Sequence, residues 1–174
     1  MRNIAQLFPR WFAVMIAISV AVIAYGTLQV EPADEAPAPL QHELFDVLWL
    51  DKYPEMSHEK WKAYFFSSDN VGISIDAQSA FKLTLELFEF KAESKKIRFH
   101  FPHDGRKAQC GYTIEKLKKP TRHFDTKLIV ENDPQNAGQT KEYFTGPEFR
   151  SAATLPENLR QTLEAHEVLS RLSF

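Results

Sequence analysis

Between about residue 44 and residue 144 the apolar side chains of this chain recur at every second position. That period belongs to a β-strand with one face toward a core, because successive side chains of a strand point to opposite faces. Val71, Ile73 and Ile75 alternate with Gly72 and Ser74, and Ile97, Phe99 and Phe101 with Arg98 and His100. The same alternation carries Phe45, Val47 and Trp49; Trp61, Ala63 and Phe65; Phe81, Leu83, Leu85 and Leu87; Ala108, Cys110, Tyr112 and Ile114; and Phe124, Thr126, Leu128 and Val130. A short strand at 141–144 closes the set. At Leu87-Phe88 the apolar phase slips by one residue, the pattern expected of a β-bulge.

The links between these stretches are short and polar. Residues 67–70, 92–95 and 102–105 hold turn formers at their tips, and 132–138 make a longer turn. Parallel neighbours would need crossovers of a dozen residues or more, so the strands pair antiparallel. The expected fold class is mainly β: an antiparallel up-and-down meander of about eight strands that closes into a barrel and so removes its exposed edges.

Two flanking segments have other periods. Residues 11–30 are uncharged and mostly apolar. At about 1.5 Å per residue such a helix spans roughly 30 Å, the thickness of a bilayer core. Arg2 and Arg10 precede the run, and Glu31, Asp34 and Glu35 follow it, so the positive-inside rule leaves the N-terminus in the cytoplasm and the main domain outside it. The expectation is a single-pass signal anchor that holds the domain in the periplasm or outside the cell. The alternative is a signal peptide with h-region 11–23, cut after Ala24-Tyr25-Gly26, which releases the protein. Residues 31–43, rich in Pro, Ala and acids, read as a solvated linker. Residues 44–150 form the barrel domain. In 151–174, Leu155, Leu159, Leu163, Leu169 and Leu172 recur at helical spacing. Thr154 and Glu157 are placed as a capping box, with Pro156 in the first turn, so an amphipathic helix against the barrel wall is expected.

Charge and cysteine usage narrow the function classes. The formal charge of −2 lacks the basic excess of a nucleic-acid surface. A lone cysteine allows no internal disulfide, so the domain relies on packing, and Cys110 reads as a small buried side chain. The 14 Phe, 5 Tyr and 3 Trp supply large apolar area for that packing.

With Trp49 near the start of the meander, the strand count and hairpin links resemble the calycin group of β-barrels, which includes the lipocalins, over about residues 44–145. Val47 stands where the lipocalin signature carries glycine. Lys141 is the last-strand residue to compare with the basic residue that the family stacks on its tryptophan. The resemblance implies either a small apolar ligand inside the barrel or a structural barrel with a filled interior.

Few residues point to chemistry. Trp61, Phe65, Phe99 and Tyr112 are the candidates to line a ligand cavity. His100, His103 and Asp104 are weak candidates for a transition-metal site, since two imidazoles and a carboxylate are suitable donors. The plainer reading of that stretch is a hairpin shaped by Pro102 and Gly105. Glu86 and Glu89 read as a solvated strand face. Lys95-Lys96 and the cluster Lys116, Lys118, Lys119 read as solvated hairpin ends or a basic patch toward anionic lipid or glycan. There is no nucleophile elbow, phosphate-cradling loop, zinc-protease helix or paired-cysteine motif, and no cofactor is expected. The reading is a membrane-tethered extracytoplasmic non-enzymatic β-barrel module, bound to the membrane through residues 11–30 and taking a small apolar ligand. One alternative is an envelope interaction module that uses its outer surface or C-terminal helix. The other is an enzyme or metal protein built on His100, His103 and Asp104.

Overall fold

The computed structural model describes residues 43–171; the expected membrane segment and most of the linker lie outside the described residues. Eight strands run in chain order: β1 (Leu48–Leu50), β2 (Trp61–Phe66), β3 (Val71–Ser79), β4 (Lys82–Glu93), β5 (Lys96–Phe101), β6 (Arg106–Lys116), β7 (Thr126–Asp133) and β8 (Gln139–Thr145). Each pairs antiparallel with the next, and β1 pairs with β8, so the sheet closes into a barrel. The closure is thin: β1 is three residues long and meets β8 at one registered pair, Leu50 with Phe144. Among the described residues one α-helix, α1 (Glu157–Ala165), follows the barrel. Among the described residues no helix is long and apolar enough to cross a membrane.

The up-and-down order sorts the connections between two ends. The chain joins the barrel at the foot, which also carries the β2–β3, β4–β5 and β6–β7 connections. The β1–β2, β3–β4, β5–β6 and β7–β8 connections lie at the mouth. At the foot, Leu44 and Val47 are buried in the interior cluster, and the Trp49 indole N–H donates to Leu44 O at 3.0 Å.

Two apolar clusters form on the two faces of the sheet. The inner one gathers side chains from around the barrel, among them Trp49, Tyr64, Phe66, Phe88, Phe90, Phe99, Phe101, Val130 and Tyr143. The outer one lies between β1–β3 and the C-terminal segment: Leu48, Trp61, Phe65, Ile73 and Ile75 meet Phe149, Leu155, Leu159, Leu163 and Val168.

These two cores explain where β4 departs from its sequence pattern. The expected bulge at Leu87-Phe88 does not occur; Leu83 to Glu89 pair with β3 without a register change, and the shift lies at Ala77/Ser79. The apolar phase changes because the strand changes partner core. Leu83 and Leu85 face outward toward the helix, whereas Phe88 and Phe90 face the interior. Phe81, expected as the first buried residue of this strand, caps the β3–β4 turn and is 83% exposed.

The C-terminal helix is also shorter than its leucine spacing suggests. It stops at Ala165 because Glu167 adopts a left-handed conformation (φ 55°). Val168 N–H then donates to Leu163 O at 2.8 Å and Glu167 N–H to Glu164 O at 2.9 Å. This is a Schellman stop, sealed by contact between the buried Val168 and Leu163. Leu169–Arg171 forms a separate 3₁₀ turn. The expected capping box is not made: Thr154 Oγ1 donates to Glu148 O and Ser151 O, and Pro156 occupies the N-cap position.

Candidate functional site

The barrel interior is occupied by rings in mutual contact. Tyr64 lies 5.4 Å from Phe66, 5.8 Å from Phe88, 6.0 Å from Phe99 and 5.1 Å from Tyr143, centroid to centroid. Phe88 meets Phe99 at 5.0 Å, and Phe99 stacks on Phe101 at 6.0 Å. An eight-strand barrel is just wide enough for side chains of this kind to fill. Of the four cavity candidates, Phe99 and Tyr112 belong to this interior, whereas Trp61 and Phe65 belong to the outer cluster. β2 is apolar on both faces (Trp-Lys-Ala-Tyr-Phe-Phe), so alternation alone leaves its inward face ambiguous, and Tyr64 and Phe66 take that role.

At the mouth the interior ends in a buried carboxylate. Asp133 is fully buried. Its Oδ1 accepts from Tyr64 OH at 2.7 Å and Gln135 N–H at 2.9 Å. Its Oδ2 accepts from Tyr143 OH at 2.6 Å and Asn136 Nδ2 at 2.5 Å. Four donors compensate the desolvation of one carboxylate. They also draw the Pro134–Asn136 turn over the mouth to β2, where Lys62 Nζ donates to Gln135 O at 2.7 Å. Lys62 lies 3.6 Å from Asp76, and Lys141 lies 3.1 Å from Asp51. Burial, reinforced by the Asp133 charge, pushes the Tyr64 and Tyr143 phenols well above the ordinary tyrosine range. The same two causes push the Cys110 thiol up to about 12. Cys110 Sγ–H donates to Asn132 O at 3.2 Å, so the cysteine is a buried, protonated packing residue. Nothing in the sequence marks Asp133, which sits in what reads as an ordinary Asn-Asp-Pro turn.

The histidine stretch divides. Glu86, His103 and Asp104 present ligand atoms within 4.8 Å of one another. His100 is not of this group; its Nδ1 pairs with Glu89 Oε2 across the β4–β5 ladder at 2.9 Å. Arg106 already serves the carboxylates: Nη2 is 2.5 Å from Glu86 Oε1 and Nε is 3.4 Å from Asp104 Oδ2. Its guanidinium also packs 4.0 Å over the Phe101 ring. The Asp104 carboxyl is held below its usual range by the Arg106 backbone N–H first, then by His103 and the Arg106 charge. A metal ion here would have to displace the guanidinium. Glu86, taken from sequence as solvated, is the residue that ties this cluster to β4.

A groove of about 270 Å³ runs between α1, the β1–β2 loop and the β3–β4 turn. Trp61, Ala80 and Ala165 give it apolar walls, and Phe81 and Met56, 83% and 57% exposed, stand at its edge. The polar groups that α1 contributes are engaged within the chain. Asn158 accepts from Tyr53 OH at 2.9 Å and donates to Pro54 O at 2.9 Å, and Gln161 Nε2 donates to Glu157 at 2.6 Å. His166 Nε2 lies 3.1 Å from Ala80 O and so ties the helix end to the turn that carries Phe81. What the groove offers a partner is therefore mainly apolar contact, with the exposed Glu55 beside it.

Comparison of the chain with protein-family models, with curated proteins and with solved structures finds no match.

Proposed function

We propose that this chain is a membrane-tethered, extracytoplasmic, non-enzymatic barrel module that binds a protein of the cell envelope through its outer surface. The working site is the groove beside α1. The observation that carries this reading is the pair of exposed apolar side chains, Phe81 and Met56, at the edge of a groove walled by Trp61. Large apolar groups held in water beside a concave surface mark binding sites more often than scattered surface residues do. The closed eight-strand antiparallel form is compatible with kinship to the calycin group, in its filled structural version. A small apolar ligand inside the barrel would have to displace Tyr64, Phe88 or Phe99, which lie in ring contact.

The tether is read from residues 11–30 and their flanking charges. A photo-crosslinking side chain placed at Phe81 or Met56 of the full chain, in intact cells, tests the site. A discrete adduct from both positions, absent when the probe stands at Lys107 elsewhere on the mouth, is the expected result. The same adduct pattern from all three positions would overturn the groove as the working surface.

A further inference from the structure

The barrel closes, yet β4 keeps an open edge along its first half. β5 covers only the second half, from the pair Glu89–His100 to the pair Glu93–Lys96. The next position would set Leu87 against Pro102, which has no N–H to give, and β5 ends at Phe101. Residues 82–88 of β4 therefore pair with β3 alone among the described strands. Phe90 N–H donates to Asn70 O at 2.8 Å, on the β3 side. Backbone groups alternate sides along a strand, so Leu83, Leu85 and Leu87 aim their N–H and C=O at the open side. An open cleft of about 710 Å³ lies there, between 84–87 and the turn at Pro102 and His103. Phe81 and Leu87, at the two ends of the open stretch, are 83% and 47% exposed. An unpaired edge of this kind is a template for another strand.

We infer that this edge pairs with the same edge of a second copy of the chain, antiparallel about a two-fold axis at Thr84. Directly opposite side chains share a face of the sheet, and the open stretch 81–87 overlaps in full only with Thr84 at its centre. In that register the stretch, Phe-Lys-Leu-Thr-Leu-Glu-Leu, is complementary to itself. Phe81 faces Leu87 of the second copy, Leu83 faces Leu85, and Lys82 faces Glu86. The leucine pairs are the hydrogen-bonded ones, because their backbone groups point to the open side. Lys82 is exposed and outside every ion pair among the described residues. Glu86 holds Arg106 and His103 through Oε1, which leaves Oε2 for Lys82. Opposite charges and apolar pairs set across two strands favour their pairing. Centring the axis on Leu85 instead shortens the overlap and sets Lys82 against Phe88, an interior ring. Phe81 stands at the border of this junction and the groove, while Trp61, Met56 and α1 lie outside the junction.

The test is disulfide capture on the full chain. Cys110 is buried, so an introduced surface cysteine supplies the reactive thiol. Across the axis Thr84 faces Thr84 of the second copy as a non-hydrogen-bonded pair, about 4.5 Å apart at Cα and within reach of a disulfide. With a mild oxidant, Thr84→Cys is expected to give a species of twice the chain mass. The yield should be at least about tenfold that of Lys82→Cys, whose two copies stand roughly 13 Å apart. Lys82→Cys chains mixed with Glu86→Cys chains are expected to capture one another. Leu87→Pro removes an N–H from the open edge and leaves the β3 ladder its bonds. In mild detergent the parent chain is expected to sediment as a dimer and this variant, with unchanged far-UV CD, as a monomer. Equal capture from Thr84→Cys and Lys82→Cys overturns the pairing, because collision alone then explains it. So does a monomeric parent, or a Leu87→Pro dimer as stable as the parent. Capture of a different polypeptide by Thr84→Cys overturns it too, since the edge then takes another protein's strand.

Discussion

At Gly72 the interior has no room for even a methyl group. A Cβ there would run into the Phe88 ring, its registered neighbour on β4, and would lie 2.8 Å from Phe65 O. The ring is hemmed in by Phe66, Phe90 and Phe99, so it has nowhere to go. Gly72→Ala should therefore lower stability by about 1–3 kcal/mol in urea denaturation, the usual cost of overpacking. Gly111→Ala is the control. Its added Cβ would meet the end of the Glu131 side chain, which can swing away, so a change within about 0.5 kcal/mol is expected. Equal losses at the two sites would show that backbone freedom rather than the Phe88 ring sets the cost. Alternation identifies Gly72 only as the small partner of Val71 and Ile73. That a ring fills the space it leaves depends on a pairing with β4, which is a contact between strands. The Asp133 cluster was hidden for the same reason: Tyr64, Asp133 and Tyr143 come from β2, β7 and β8 and meet only on closure.

Among the elements, α1 depends on two leucines. Leu159 and Leu163 are buried against Trp61 and its outer neighbours, and Leu163 also receives Val168 at the helix stop. Leu163→Ala should cost about 2–5 kcal/mol by leaving a cavity under the helix. It should be visible as a lower urea midpoint, whereas exposed Glu164→Ala should stay within about 0.5 kcal/mol. Equal midpoints for the two variants would mean that the helix adds little to the fold. The leucine spacing makes the helix legible, because 3.6-residue periodicity survives whatever the helix packs on. Its end is not legible. Helices of this kind usually stop at glycine, and here Glu167 takes the left-handed position without that marker. β4 shows the complementary limit. A slip in apolar phase reads as a bulge when a strand has one core, and as a change of face when it has two.

At the scale of the whole molecule, eight strands and their antiparallel order follow from period-two alternation and short turns, since neither depends on distant contacts. The existence of a second, outer core does not, because it needs the helix folded back on the barrel. The buried hydroxyls and thiol make global stability fall at high pH. Cys110 titrates near 9.0 when unfolded and at about 12 in the fold, and both phenols are raised above 10.0. Below about pH 9 these groups are protonated in both states and their full contribution is present. Above it the unfolded chain loses protons that the barrel keeps, so stability declines as pH rises toward 12. The urea midpoint should drop between pH 8 and pH 11, with a smaller drop in Cys110→Ala and Tyr143→Phe. A drop of the same size in both variants would place the titrating groups elsewhere. The barrel's closure at β1 and β8 has a consequence for how it breathes. A ring of strands opens where the fewest ladder bonds must break, and here that seam is one registered pair wide. Local fluctuations that break this pair convert the ring into an open ribbon with β1 and β8 as its edges, while the other seven ladders hold. Amide protons along that seam exchange with solvent on the clock of this opening, not of global unfolding.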